Sequence, residues 1–351
     1  MKVVLLAGLA ILAAVSAGVF FSHIRTGPTP VPAGIIAKYT AWKKQFGKLY
    51  STPSENDYRL RVFHTVSDYI DESNNDYESA IKSKGETLSG PMFALNNFAD
   101  LSEEEFKAKY TGAATDTASE VESDESVPAK PVEVGDELKS EKRAGLGQGF
   151  DIRIRNQGAC GSCWAFAAVA AFEKHYYDKA RQRLEFSQQE LVDCDRSSGG
   201  CGGGYENKAV EYIYRTGISP AGNYPYTGTQ GACRSGSTPR TKIGIYMTTK
   251  AYSSGAAQYA ASKGLHASLS MFATGKARFL SNTNDIYDAP SSGECFQNMN
   301  HFVNLVGYEG NRVVQMINSW GRQWANGGSK RIRTCSDASF WGGGSRITYL
   351  E

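Results

Sequence analysis

Residues 157–166 read QGACGSCWAF, with Cys160 and Cys163 two residues apart and followed by a tryptophan and an apolar run. Three chemistries fit such a Cys-x-x-Cys: a dithiol redox pair, half of a zinc site, or one structural cysteine beside one that reacts. The segment CWAFAAVAAFE is rich in alanine and has no β-branched series, which predicts a helix. Gly158 and Gly161 break the chain just before it and place Cys163 at the helix start. Unpaired N–H groups and the helix macrodipole favour a thiolate there. Magnitude shows that they do not suffice. Reactive thiols lie about two to five units below the free value near 8.5. Five units correspond to about 7 kcal/mol, and a helix terminus contributes at most about 2 kcal/mol. A cationic partner is needed, and imidazolium is the usual one.

Five histidines compete for that place. His23 adjoins an apolar N-terminal run, and His64 lies in a cysteine-free first region. His175 is 12 residues further along the same predicted helix, about 18 Å away and out of reach. His266, in KGLHASLSMF, alternates with apolar neighbours and predicts a strand wall. His301 remains. It opens HFVNLVGYEG, a buried-strand pattern, and a short turn leads to VVQMINSWG. A hairpin of these two strands brings His301 and Asn318 together. Asn318 can then accept the ring N–H and hold the imidazole, while Trp320 covers that bond from water. These partners stand 138 and 155 residues beyond Cys163, so the fold must bring them to it.

The chain that does so has 351 residues, room for two ordinary domains, and a formal charge of +2 that names no partner. Neither nucleic acid nor a stable membrane association is expected, unless the N-terminal segment stays uncleaved. That segment, Met1-Lys2 followed by an apolar run to Phe21, carries the small residues Val15-Ser16-Ala17 and predicts a signal peptide over 1–17. An uncleaved anchor is the alternative, and either route leads to an oxidising compartment. All seven cysteines lie at residue 160 or beyond, and an odd number suggests three bridges and one thiol. Residues 35–110 read as helical, with Tyr58, Val62, Phe63, Val66, Tyr69 and Ile70 repeating at three and four. Residues 111–143 are acidic and rich in proline and small side chains, which predicts a linker. A compact domain follows over 144–351. That domain carries 22 basic against 15 acidic residues, and residues 18–143 carry 15 against 21. Opposite signs suggest that the first part sits on the second.

CGSCW followed by a distant His301 and by Asn318-Ser-Trp-Gly resembles the papain-like cysteine proteases. GGCGGGYENKAVEYI is similar to the family's Cys-x-Gly-Gly segment. Upstream, Glu55, Arg59, Val62-Phe63, Ile70 and Asn74 are similar to the interspersed propeptide motif of the cathepsin L-like branch, with Val66 where asparagine is usual. ALNNFAD resembles its second motif through Asn96, Phe98 and Asp100, with Ala94 where glycine is common. The resemblance implies a two-lobed α+β fold, helical on the left and β-barrel-like on the right, preceded by a helical inhibitory propeptide. It implies Cys163 as nucleophile, His301 as base and ion-pair partner, and Asn318 as orienter. Gln157, with the Cys163 N–H, would form the oxyanion hole. Gly203, Gly204, Tyr205 and Trp320 would contact substrate, the glycines through β-type hydrogen bonds. Tyr205 and Phe340 are candidates for the pocket of the second substrate side chain, where an apolar residue is then expected. The implied disulfides are Cys160–Cys201, Cys194–Cys233 and Cys295–Cys335.

On this reading the opening cysteines are not a pair. Redox chemistry would need both thiols in a thioredoxin-like βαβ setting, which the sequence lacks. Zinc would need a second ligand pair, and Cys194 and Cys201 are seven apart. No metal or cofactor is expected. The family's Asp-Trp-Arg near the mature N-terminus has no counterpart in KSEKRAGLGQGFDIRIRNQG, which leaves the mature start within 111–146, with Lys142-Arg143 a candidate processing site. The expected product is a monomeric endopeptidase of a lysosome-like, vacuolar or extracellular compartment. It would act on peptides, be inhibited by its own propeptide and activate itself at acid pH. A non-catalytic peptide-binding homologue is the rival.

Overall fold

The computed structural model describes residues 30–114, 153–234, 236, 239–295, 297–341 and 345–351. The expected signal segment 1–17, His23, residues 115–143 of the expected linker, and Lys142-Arg143 lie outside the described residues.

Three helices build the first part. α1 (Ala33–Phe46) ends at Gly47, whose φ of 63° is left-handed. α2 (Pro53–Ser83) runs for 31 residues from the Thr52 cap, with proline in its first turn. α3 (Glu103–Tyr110) is short, and the reciprocal Ser102–Glu105 capping box stabilises its start. The residues that resemble propeptide motifs tie these helices together. Arg59 reaches Glu105 at 2.7 Å and the Asp100 carbonyl at 3.0 Å. Asp100 accepts from Lys48 and Tyr50. Asn74 closes both backbone groups of Phe93, at 2.9 Å each. Val66, which replaces the usual asparagine, is fully buried.

Helices α4 (Cys163–Ala180), α5 (Gln188–Cys194) and α6 (Glu206–Thr216) form a left lobe around Trp164, Val169, Phe172, Leu191 and Ile213. The right lobe is a sheet of seven strands among the described residues. They are β1 (Met247–Ala251), β2 (Ala267–Met271), β3 (Tyr287–Asp288), β4 (His301–Tyr308), β5 (Val313–Ile317), β6 (Ser329–Arg333) and β7 (Arg346–Leu350). Their order is β1-β7-β2-β4-β5-β6-β3, with all pairs antiparallel except β3 with β6. Helix α4 and helix α7 (Ser254–Ser262) both pack on the sheet, and every residue of β2 is buried. The fold is the α+β, two-lobed arrangement that the sequence implies.

The first part packs on the right lobe through one continuous apolar core. Trp42, Phe63, Phe98 and Phe106 share it with Leu269, Phe279, Trp320 and Trp324. Residues 92–94 add an extended segment to the lobe: Ala94 N–H donates to Phe279 O and Ser281 N–H to Met92 O. Among the described residues no helix is long and apolar enough to cross a membrane.

The disulfides are Cys160–Cys201, Cys194–Cys233 and Cys295–Cys335, and Cys163 is the one free cysteine. The first holds the Gly203–Gly204 loop beside the start of α4, where Gly161 N–H also donates to Cys201 O at 2.9 Å.

Candidate active site

Cys163 is the first residue of α4, and His301 is the first of β4. The Asn304 amide joins these two elements by donating to Ala167 O at 3.0 Å. Asn318 follows β5, the hairpin partner of β4, and its Oδ1 lies 2.8 Å from His301 Nε2. Ser319 N–H donates to the same Oδ1 at 2.7 Å, which fixes the amide orientation. The bond network therefore assigns the ring proton to Nε2. His301 Nδ1 is left buried without a hydrogen-bond partner among the described residues. The Trp320 ring covers the imidazole at 4.5 Å between centroids. The other described histidines are elsewhere: His64 meets Asp68, His175 bonds Gly244 O, and His266 is buried just before β2.

Gln157 is fully buried and held on all sides. Its N–H donates to Ser319 O at 2.8 Å, and its Oε1 accepts from Ser319 Oγ at 2.6 Å. Its carbonyl accepts from the Tyr226 hydroxyl at 2.7 Å, and Ser162 Oγ stands 2.8 Å from that hydroxyl. Nearby, Arg155 clamps both oxygens of Glu173 on α4. The short chain 155–157 is thus anchored to both lobes.

The cleft between the lobes is occupied by the chain itself. The Tyr110 carbonyl accepts from Gln157 Nε2 and from Trp320 Nε1, both at 3.2 Å. Gly112 and Ala113 donate to Asn300 O, Ala114 donates to Gly204 O, and Gly204 donates to Gly112 O. The Ala113–Gly204 bridge is parallel. Gly112 permits this passage, because a Cβ there would lie 2.1 Å from Gly161 O. Gly203, at φ 117°, is left-handed and faces Gly112 O in the same way.

Burial decides the charge state of this closed site. It pushes the Cys163 thiol up to about 12, against the pull of the Phe302, Trp164, Cys163 and Gly112 backbone amides. Burial also brings His301 down to about 4, although the Asn318 bond opposes it. Between these values the closed site holds a thiol and a neutral imidazole. The ion pair expected from the sequence needs water or a charge to support it, and both groups are fully buried here.

The comparisons decide the family. The profile of the Papain family cysteine protease matches residues 148–340, and that of the Cathepsin propeptide inhibitor domain (I29) matches residues 39–106. This chain belongs to the papain family of cysteine proteases. It is 32% identical to papain of Carica papaya over 311 residues, covering 87% of this chain and 83% of papain. It is 29% identical to cathepsin L 2 of Paramecium tetraurelia, over 84% and 86% of the two chains. Among solved structures, the proform of a ragweed pollen allergen cysteine protease is 25% identical, with a TM-score of 0.68 over 91% of this chain and 86% of that one. A digestive procathepsin L of Tenebrio molitor larval midgut shares the fold at 24% identity and a TM-score of 0.67, over 91% and 99%. The chain is accordingly a papain-family peptidase with a propeptide inhibitor domain, and the matched residues 39–106 fall on α1–α3.

Gly203 and Gly204 line the cleft, and Tyr205 follows them, half-buried at the start of α6. Phe340 lies in the core against Tyr252 and Trp341. Sequence reasoning missed Ser319, Tyr226, Asn300 and the 110–114 crossing. Ser319 stood in view between Asn318 and Trp320, but Tyr226 and Asn300 carry no pattern of their own.

Replacing Gly112 with alanine forces the crossing strand off Gly161, an overpacking cost of about 1–3 kcal/mol. The Gly112→Ala proenzyme should react with a thiol-directed peptidyl epoxide about five- to hundredfold faster than the parent. Enzyme cut after residue 114 has lost that residue and should be unchanged. Equal labelling of the two proenzymes would show that the close approach is not what closes the cleft.

Proposed function

We propose that the chain is a cysteine endopeptidase in which Cys163 is the nucleophile, His301 the general base and acid, and Asn318 the residue that orients it. The observation that carries this reading is the His301–Asn318 bond at 2.8 Å under Trp320, on the strand packed against the start of the Cys163 helix. With the propeptide gone, water re-enters and the burial that holds both groups neutral is relieved. The Cys163 proton then passes to His301 Nδ1, and the helix N-terminus stabilises the thiolate. Sγ attacks the peptide carbonyl carbon. The oxyanion is met by the Cys163 N–H and by Gln157 Nε2, which the Tyr110 carbonyl engages in the closed form. Imidazolium gives its proton to the departing amine and leaves a thioester. Water, deprotonated by the same ring, hydrolyses it and frees the acid. Gly203 and Gly204 support the acyl side of the substrate, and Tyr205 lines the pocket for its second side chain.

A secretory route to a lysosome-like or extracellular compartment accords with three disulfides, which persist in oxidising surroundings. Titration with a peptidyl epoxide tests the chemistry. Processed protein should label to one equivalent. Cys163→Ala should not label, and His301→Ala should lose about a thousandfold or more in kcat/KM. Hydrolysis that survives Cys163→Ala would end the proposal.

Self-activation at acid pH belongs to the same reading, and three carboxylates on the boundary support it. Asp288 takes Lys84 of α2's end at 2.9 Å and Arg333 at 2.7 Å. Glu86 faces Arg333 at 3.5 Å, and Asp285 accepts from Ser89 at 2.7 Å. The Lys84 and Arg333 bonds lower Asp288 below its ordinary value of 3.8. Its hold is therefore complete above that value and lost only as pH falls through the lower, closed-state one. Asp288→Asn should remove this contribution and move the midpoint of self-processing to higher pH. An unmoved midpoint would exclude Asp288 as part of the acid trigger.

A further inference from the structure

Arg278 is a fully buried cation, and residues of the propeptide pack against it. It stands in a 3-10 turn, Lys276–Phe279, with no exposed surface. Its Nη1 points to Ser102 O at 3.4 Å, and the guanidinium carbon lies 5.3 Å from the Phe106 ring and 4.4 Å from that of Phe279. The Asn96 amide covers its carbonyl at 2.6 Å. Ser102, Phe106 and Asn96 all belong to the propeptide. So do two of the acids that act on this guanidinium, Glu103 and Glu104, in the first turn of α3; Glu294 of the peptidase is the third. Glu294 is held from below by Lys276 N–H at 2.5 Å and by the Tyr287 hydroxyl at 3.0 Å. Burial lowers Arg278 only to about 10, so it stays charged wherever the enzyme works.

The position of Arg278 along the cleft follows from its neighbours. Phe106 packs on both Arg278 and Trp320, with the two rings 5.2 Å apart. Trp324, which meets Trp320 at 5.5 Å, donates to the carbonyl of Ala277, next to Arg278. Along the propeptide, Phe106 meets Arg278 and Trp320, Tyr110 meets Trp320 and Ala114 meets Gly204, so Arg278 and Gly204 stand at opposite ends of the crossing. On the endopeptidase reading above, on which this inference rests, Gly204 and Tyr205 hold the acyl side, so the groove beyond Trp320 receives the leaving side.

We propose that Arg278 is a specificity-determining residue of the processed enzyme, selecting an acidic side chain at the first or second position after the scissile bond. When α3 departs, a guanidinium flanked by Phe279 and the tryptophans is uncovered at the floor of that groove. Glu103, half-buried and acting on Arg278 by its charge in the closed form, gives way to a substrate carboxylate in the open one. A carboxylate there gains charge-assisted hydrogen bonds, whereas a lysine meets a fixed like charge across a low-dielectric wall. Because the groove is open to solvent once the propeptide leaves, the preference should weaken with salt.

The test uses processed enzyme and a peptide series with a constant acyl side and Glu, Gln or Lys at the first two leaving positions. The parent should hydrolyse the Glu peptides roughly tenfold faster in kcat/KM than the Lys peptides, and less so at high salt. Arg278→Gln should level the series, Arg278→Glu should invert it, and Arg278→Lys should keep most of it. Epoxide titration and the preference at the second acyl-side residue should stay as in the parent, which confirms folding and an intact site. An even series in the parent, or an acid preference that survives Arg278→Gln, overturns the inference while leaving the peptidase reading standing. Loss of titration in the parent itself would instead strike at the endopeptidase reading.

Discussion

Trp320 is the point on which the site and its inhibition both depend. One face of the indole covers the His301–Asn318 bond, and its edge meets Phe98, Phe106 and Trp324. Its N–H is given to the Tyr110 carbonyl. A hydrogen bond of this kind keeps its directing power only where water cannot compete. The same ring is therefore both the lid of the imidazole and the anchor onto which the propeptide's last helix closes. Without it, the Asn318 bond that orients His301 would lose its cover, and α3 would lose the ring on which Phe106 packs.

What holds the propeptide down is mainly apolar. Each large buried side chain in the shared core contributes about 1.5–3 kcal/mol, and Trp42, Phe63, Phe98 and Phe106 are all in it. Exposed ion pairs contribute about 0–1 kcal/mol, and Glu86–Arg333 is of that kind, with Glu86 half exposed. The opposite charges of the two parts of the chain help to align them, but they do not supply most of the grip. Acidity can adjust such an interface. It does not dissolve a core of aromatic rings, so segment 110–114 must be cut or lifted for the thiol to meet water. This division of labour explains a closed site whose thiol and imidazole are both neutral.

The candidate site residues were legible as candidates because their residue types are rare. One unpaired cysteine at a helix start, one histidine opening a buried strand and one asparagine after the partner strand leave few alternatives. The two lobes and the three disulfides followed from resemblance, not from spacing, since nothing in the separation of Cys194 and Cys233 dictates their bond. The helical reading of the first region is right for α2, where apolar positions repeat from Tyr58 to Ile81, and wrong for residues 84–102, which are turns and extended chain. What stayed hidden is of another sort. Tyr110–Ala114 bind through backbone groups, which every residue has, so no side-chain pattern marks them. Tyr226 and Arg278 act through long-range contacts to Gln157 and to α3. The charge state was also out of reach: a helix terminus raises the expectation of a thiolate, and only the coordinates show that Cys163 and His301 are both fully buried in the closed cleft.

The pH dependence of Cys163 alkylation by iodoacetamide, measured on intact proenzyme and on processed enzyme, tests this most directly. The processed enzyme should show a reactive thiolate already at acid pH, carried by His301. The intact proenzyme should stay at baseline throughout the neutral range, because its thiol is held near 12. A low-pH step of equal size in both forms, or its absence from both, would contradict an imidazole-supported thiolate that burial under the propeptide extinguishes.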